Sequence, residues 1–125
     1  MLIDTHCHLD AAEFDGDREA VLAGARRAGV AAFVVPAVER AGFARIDALR
    51  RAHDDIHVAW GIHPLYVDGA TDDDLAVLDA RLAAGDALAV GEIGLDYYVD
   101  GVDRNRQTGL FTAQLRLARR HDLPV

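Results

Sequence analysis

Apolar positions along the chain follow two alternating patterns. Leu2-Ile3-Asp4, Val30 to Pro36 ("VAAFVVP"), Ile56 to Trp60 and Ala87 to Gly91 are short, nearly continuous apolar runs. Runs of this length predict strands, and "VAAFVVP" reads as one buried on both faces. Between them, apolar residues recur three and four positions apart, the helical spacing. The first helix has Val21, Leu22, Ala25 and Ala28 on one face, Asp17 as its cap and Gly29 as its stop. In the second, Phe43, Ile46, Leu49 and Ala52 point inward, and Arg45, Arg50 and Arg51 mostly outward. Thr71 caps a third, whose buried stripe is Leu75, Leu78 and Leu82. Its first turn holds Asp72, Asp73 and Asp74, carboxylates that complement the helix dipole and need no metal to explain them. A fourth helix spans Asn105 to His121, and the closing "DLPV" predicts a turn into a fifth strand.

Four strand–helix units with buried strands predict a parallel α/β sheet. Each unit takes about 30 residues, one-eighth of a (β/α)8 barrel of roughly 250. Residues 1–125 therefore read as one domain: the first four βα units of a TIM barrel, a half-barrel. A doubly wound open sheet is the alternative. It normally carries a glycine-rich loop after its first strand, where this chain has His6-Cys7-His8. GxGxxG, Walker, HExxH and GxSxG motifs are all lacking.

Composition narrows the function classes. No apolar run approaches the roughly 20 residues of a membrane helix, and Asp4 and the histidines interrupt any secretory signal. The expectation is a cytoplasmic protein with no membrane partner. The single cysteine, Cys7, permits neither an internal disulfide nor a CxxC site; it reads as a small buried hydrophobe. All thirteen basic residues are arginine, and the net charge of −8 argues against a broad basic surface for nucleic acid. It does not exclude a nuclease, because bound cations can supply positive charge locally.

The chemistry-bearing residues cluster at strand ends, where barrel enzymes carry their active sites. His6 and His8, one residue apart, would share one face of an extended chain, roughly 6.6 Å apart along it, with Cys7 on the other. They are either metal ligands or ordinary polar residues of the adjoining loop. The third strand ends in "GIHP", where Pro64 after His63 blocks a helix and fixes a turn. The fourth ends in "GEIGLDYY", placing Glu92 between Gly91 and Gly94. Singly, Glu92 could be half of a buried ion pair and His63 a turn residue. Together, His6, His8, His63 and Glu92 on one rim point to a metal site, with a donor set suited to zinc, manganese, iron or magnesium. His53, His57 and His121 lie away from that rim and read as structural or solvated.

"DTHCHLD", "GIHP" and "GEIGLDYY", in that order and with "QTGLFTAQLRLARRHDLPV" after them, resemble the TatD family of metal-dependent deoxyribonucleases, amidohydrolase-like TIM barrels. The resemblance runs the length of the chain. It implies that His6 and His8 bind one metal, that Glu92 is catalytic and bridges to a second, and that His63 is catalytic and lies near the substrate phosphate. Asp4 would support the ligands, and Asp96 and Tyr97 would bind substrate by shaping the pocket floor. Two divalent ions are implied, magnesium first, with zinc or manganese as alternatives. The implied reaction is hydrolysis of DNA phosphodiester bonds from an end. The family usually has an arginine soon after the tyrosines; here Val99 and Asp100 come next, with Arg104 and Arg106 later.

The family pattern continues beyond "LPV" into a fifth strand with a histidine ligand, and later strands add a histidine and an aspartate. The expectation is thus an N-terminal half whose partner is the remaining half of the barrel or a second chain. A half-barrel leaves two parallel edges and an apolar inner face open. Two alternatives stand beside the nuclease: a non-catalytic α/β module that pairs with another chain, and a TatD-like esterase for another ester.

Overall fold

The computed structural model describes residues 1–125. Four strands, β1 (Leu2–Asp4), β2 (Val30–Pro36), β3 (Ile56–Trp60) and β4 (Ala87–Val90), form one sheet in the order β1-β2-β3-β4. Every neighbouring pair is parallel. The helices α1 (Arg18–Arg27), α2 (Phe43–Ala52), α3 (Asp72–Ala83) and α4 (Arg104–Arg120) alternate with them. This is the α/β half-barrel that the hydrophobic pattern predicts.

The core lies between sheet and helices. Phe33 and Val35 of β2 and Ile56, Val58 and Trp60 of β3 pack with Leu22, Ile46, Leu49, Leu78, Leu82 and Leu117 from the four helices. Strand alternation puts Ala32 and Val34 on the opposite face, where both are half-buried. β2 is therefore covered on one face and not on both as expected, because four strands line only part of the surface that a closed barrel fills.

Helix details differ in instructive ways. α3 begins as expected: Thr71 Oγ1 accepts from Asp74 N, and the Asp74 carboxylate accepts from Thr71 N, a capping box. Asp17 stands at the N-cap of α1, but its side chain makes no capping bond. In α1 only Leu22 is fully buried, and Val21 is exposed. Ala52 of α2 is likewise exposed. Asp103 caps α4, accepting from Asn105 N and Arg106 N at 2.8 and 3.1 Å, so the helix starts one residue earlier than predicted. Pro64 does not block a helix. It opens a short 3-10 helix, Pro64–Gly69, because a proline at the first helical position lacks only an N–H that has no partner there. Beyond α4, "DLPV" turns back to the sheet, and Val90 N donates to Pro124 O at 2.9 Å. This bond sets Pro124 beside β4, and the sheet of residues 1–125 has four strands.

One ion-pair network ties the helices together. Asp47 of α2, largely buried, accepts from Arg81 of α3 and from Arg50 Nε at 2.8 Å. The Arg81 guanidinium also lies over the Trp60 ring, 4.9 Å from its centroid, so one side chain joins α3, α2 and β3. Burial pushes the Asp47 carboxyl up, but the hydrogen bonds and charges of Arg81 and Arg50 outweigh it and hold it below the ordinary range.

This packing lends itself to two stability tests. Leu22→Ala removes a fully buried side chain and should cost about 2–5 kcal/mol in urea unfolding. Asp47, with its folded pKa depressed, stabilises the fold fully above about pH 4, and the contribution disappears as pH falls through the folded value. The stability gap between wild type and Asp47→Asn should therefore be full at pH 6 and narrow progressively below pH 4 in melts across pH. A gap independent of pH would contradict the assignment.

Candidate metal centre

The site is built where chains leave the sheet. Beyond β1 the backbone stays alongside β2, with Cys7 N donating to Val34 O at 3.1 Å. The Asp4 carboxylate accepts from His6 N at 3.2 Å and so holds the backbone of His6. Cys7 packs against the core, as expected of a small hydrophobe. Burial, and after it the Asp4 charge, pushes its thiol pKa up, which keeps it protonated.

His6 and His8 converge. Their Nε2 atoms are 3.2 Å apart, and the rings meet edge to face with centroids 5.0 Å apart. Glu92 Oε2 stands 3.2 Å from His6 Nε2 and 3.4 Å from His8 Nε2. Two atoms each about 2.1 Å from one ion are about 3.0 Å apart at an octahedral angle and about 3.4 Å at a tetrahedral one. All three separations fall within that interval. Two imidazole nitrogens and a carboxylate oxygen, each offering a lone pair to one point, fit a divalent cation.

Glu92 reaches this point because β3 and β4 approach closely at their ends. Gly91 N donates to Trp60 O at 3.0 Å and Glu92 N to Ala37 O at 2.9 Å. A Cβ on Gly61 would lie 2.6 Å from the carbonyl carbon of Gly91, so only glycine fits there. The Gly91–Glu92 peptide is cis.

His63 completes the cluster in a different role. Its Nε2 is 3.4 Å from Glu92 Oε1, the other oxygen of that carboxylate. Its Nδ1 accepts a hydrogen bond from Leu65 N at 3.1 Å. An accepting Nδ1 carries no proton, so the neutral ring carries its proton on Nε2. In this tautomer Nε2 faces the site as a donor and not as a ligand. The three residues that could together hold a metal ion are His6, His8 and Glu92.

The cluster lies between two open cavities. His6 and Glu92 line a trough of about 420 Å³ on the inner face of the sheet, with Val34, Ala59, Ala89 and Phe111. His8 and His63 line a groove of about 810 Å³ with Asp10, Phe14, Glu39, Arg45 and Tyr66. Asp96 and Tyr97 line neither. Asp96 Oδ1 accepts from Tyr98 N at 2.9 Å, and the Tyr97 ring stacks under Arg104, 4.7 Å from its centroid. Both residues serve the loop after β4. His53 and His121 pair with Glu19 and Asp79, and His57 is exposed, all outside the cluster.

Two polar residues escaped the sequence reading. Gln107 and Gln114 of α4 are fully buried, and each grips the peptide of a loop. Their signal was available: Gln107, Leu110, Gln114 and Leu117 form one stripe at helical spacing, so two amides sit in an otherwise apolar face.

Comparison with known proteins identifies the family. A family model described as TatD related DNase matches residues 3–125. The chain is 45% identical over 125 residues to the uncharacterized metal-dependent hydrolase YjjV of Escherichia coli, covering 98% of this chain and 48% of that protein. It is 34% identical to human deoxyribonuclease TATDN3 over 139 residues, covering 99% of this chain and 50% of that protein. The crystal structure of YjjV, a TatD homologue, superposes with a TM-score of 0.93 at 44% identity, over 99% of this chain and 49% of that one. A TatD family hydrolase from Entamoeba histolytica shares the fold, with a TM-score of 0.82 at 20% identity, over 97% and 46%. The chain spans about half the length of the curated relatives it matches. A family model matched over residues 3–125 of 125 shows that this chain belongs to the TatD family.

Proposed function

We propose that the chain supplies the N-terminal half of the active site of a metal-dependent hydrolase that cleaves DNA phosphodiester bonds from an end. The observation that carries this reading is the convergence of His6 Nε2, His8 Nε2 and Glu92 Oε2 at separations of 3.2–3.4 Å. The names of YjjV and human TATDN3 support it.

Each side chain has a distinct task. His6 and His8 would hold the first of the two divalent ions proposed through their imidazole nitrogens. Glu92, with Oε2 turned to that pair, would help to hold both. Magnesium is the first choice, with zinc or manganese as alternatives. When bound, such cations activate water and offset negative charge on the phosphate. His63, with its proton on Nε2, donates to a phosphate oxygen and orients it. Asp96 and Tyr97 keep the loop after β4 in shape for substrate. An ester other than DNA is the alternative substrate, since a fold does not fix its substrate.

A second reading, a non-catalytic module that pairs with another chain, is favoured by the exposure of Leu2, Ile3 and Leu88 on the sheet strands. Metal content separates the two readings: the enzyme needs two ions per complete site, and the module one or none.

The tests use the protein as its cell makes it. Glu92→Ala should abolish release of nucleotides from DNA ends while leaving the circular dichroism spectrum unchanged; an active variant would overturn the role of Glu92. His6→Ala should weaken manganese binding in calorimetry by more than the roughly 10- to 100-fold that loss of an outer partner costs. His63→Ala should leave the bound metal unchanged and lower kcat by about 100-fold, the scale of one lost oxyanion donor. Loss of metal from that variant would make His63 a ligand after all.

A further inference from the structure

The loop after β3 carries His63, and the sheet is not what holds it in place. β3 ends at Trp60, and beyond it the regular strand ladder stops. Ile62 is 2% exposed, so its peptide N–H and C=O need partners inside the protein. Both partners belong to one side chain. Gln114 Oε1 accepts from Ile62 N at 2.7 Å, and Gln114 Nε2 donates to Ile62 O at 3.1 Å. The next residue, His63, donates its own N–H to Val38 O at 2.9 Å.

We propose that Gln114 is a positioning residue for the candidate metal centre: its amide fixes the Ile62 peptide and thereby sets the tautomer and place of His63 opposite Glu92. The proposal rests on the proposed hydrolase function for the meaning of the site, and on geometry alone for the linkage. A primary amide is the chemistry this position needs, because it offers both a donor and an acceptor to the N–H and C=O of one residue, in two consecutive peptide groups. Gln114, 1% exposed, spends its amide on the backbone of Ile62, so its place in the apolar stripe of α4 has a reason. The same helix repeats the device one loop further on. Gln107 Oε1 accepts from Asp96 N at 3.0 Å, and its Nε2 donates to Asp96 O at 2.9 Å. One helix thus ties together the loops after the strands that lead to His63 and to Glu92.

The linkage acts at short range. Ile62 precedes His63 directly, and the Nδ1 of His63 holds its accepted bond from Leu65 N only while the turn keeps its shape. A released Ile62 peptide frees that turn, lets the imidazole proton exchange between nitrogens, and removes the fixed donor facing Glu92 Oε1.

The test is nitrogen-15 NMR of the His63 ring at pH 8, without added metal, in wild type and in Gln114→Met. Wild type should show a single tautomer with the proton on Nε2, and Gln114→Met a mixture of the two. Manganese affinity, set by His6, His8 and Glu92, should change less than twofold. In turnover of bis(p-nitrophenyl) phosphate with metal added, kcat should fall by roughly 10- to 100-fold, the scale of a small misplacement. Gln114→Asn keeps the amide but is one methylene short, and should show the same tautomer change in milder form. A folded variant of either kind with an unchanged His63 spectrum would overturn the proposal, and so would failure of both variants to fold, which would make Gln114 purely structural. An absence of hydrolysis in wild type would count against the proposed activity and leave the tautomer result to decide the linkage.

Discussion

A parallel sheet sends the C-terminal end of every strand to the same rim, and the site of this protein depends on that constraint. β1, β3 and β4 lead to His6 and His8, to His63 and to Glu92, far apart in sequence and adjacent in space. Parallel pairing alone would bring these residues near one another, not within ligand distance. The remaining distance is closed by Gly61 against Gly91, where no side chain fits, and by backbone bonds from Gly91 and Glu92 to Trp60 and Ala37. The strand ends are pulled together until a carboxylate oxygen lies as close to two imidazoles as the imidazoles lie to each other.

The helical layer has two tasks with different chemistry. Its apolar residues cover one face of the sheet, and its charged residues tie helix to helix and to the sheet, as Arg81 does by joining Asp47 to the Trp60 ring. α4 adds something else. Its buried amides satisfy backbone groups where chains leave the sheet and lose their strand partners. A rim built of loops needs such supports, because a buried peptide without a partner costs roughly 1–3 kcal/mol. Precision at the rim is therefore supplied from behind it.

Much of this was legible in the residue order. Strand and helix types came from the spacing of apolar residues, and the cap at Thr71 from its position before three aspartates. His6, His8 and Glu92 were recognisable because each stands at the end of an apolar run. Local chemistry misled in two places. Asp17 holds the cap position without making the bond, since its backbone is not in the extended conformation a cap normally adopts. Pro64 looked like a block and instead starts a 3-10 helix, because it falls at the one helical position where proline is tolerated.

The residue order by itself determined the alternation of four strands and four helices, the parallel sheet and the identity of three ligand candidates. These depend on periodicity and on the residue types at the end of each apolar run, and both are local properties of the chain. Tertiary structure alone shows which nitrogen of His63 faces Glu92 and what holds the residue before it. Nothing in "GIHP" says that Leu65 N would occupy Nδ1 of His63 and turn a potential ligand into a donor, or that an amide 52 residues away would hold the preceding peptide. Those bonds join atoms that meet only after the helices have packed on the sheet, and a hydrogen bond between distant residues leaves no period in the sequence to read.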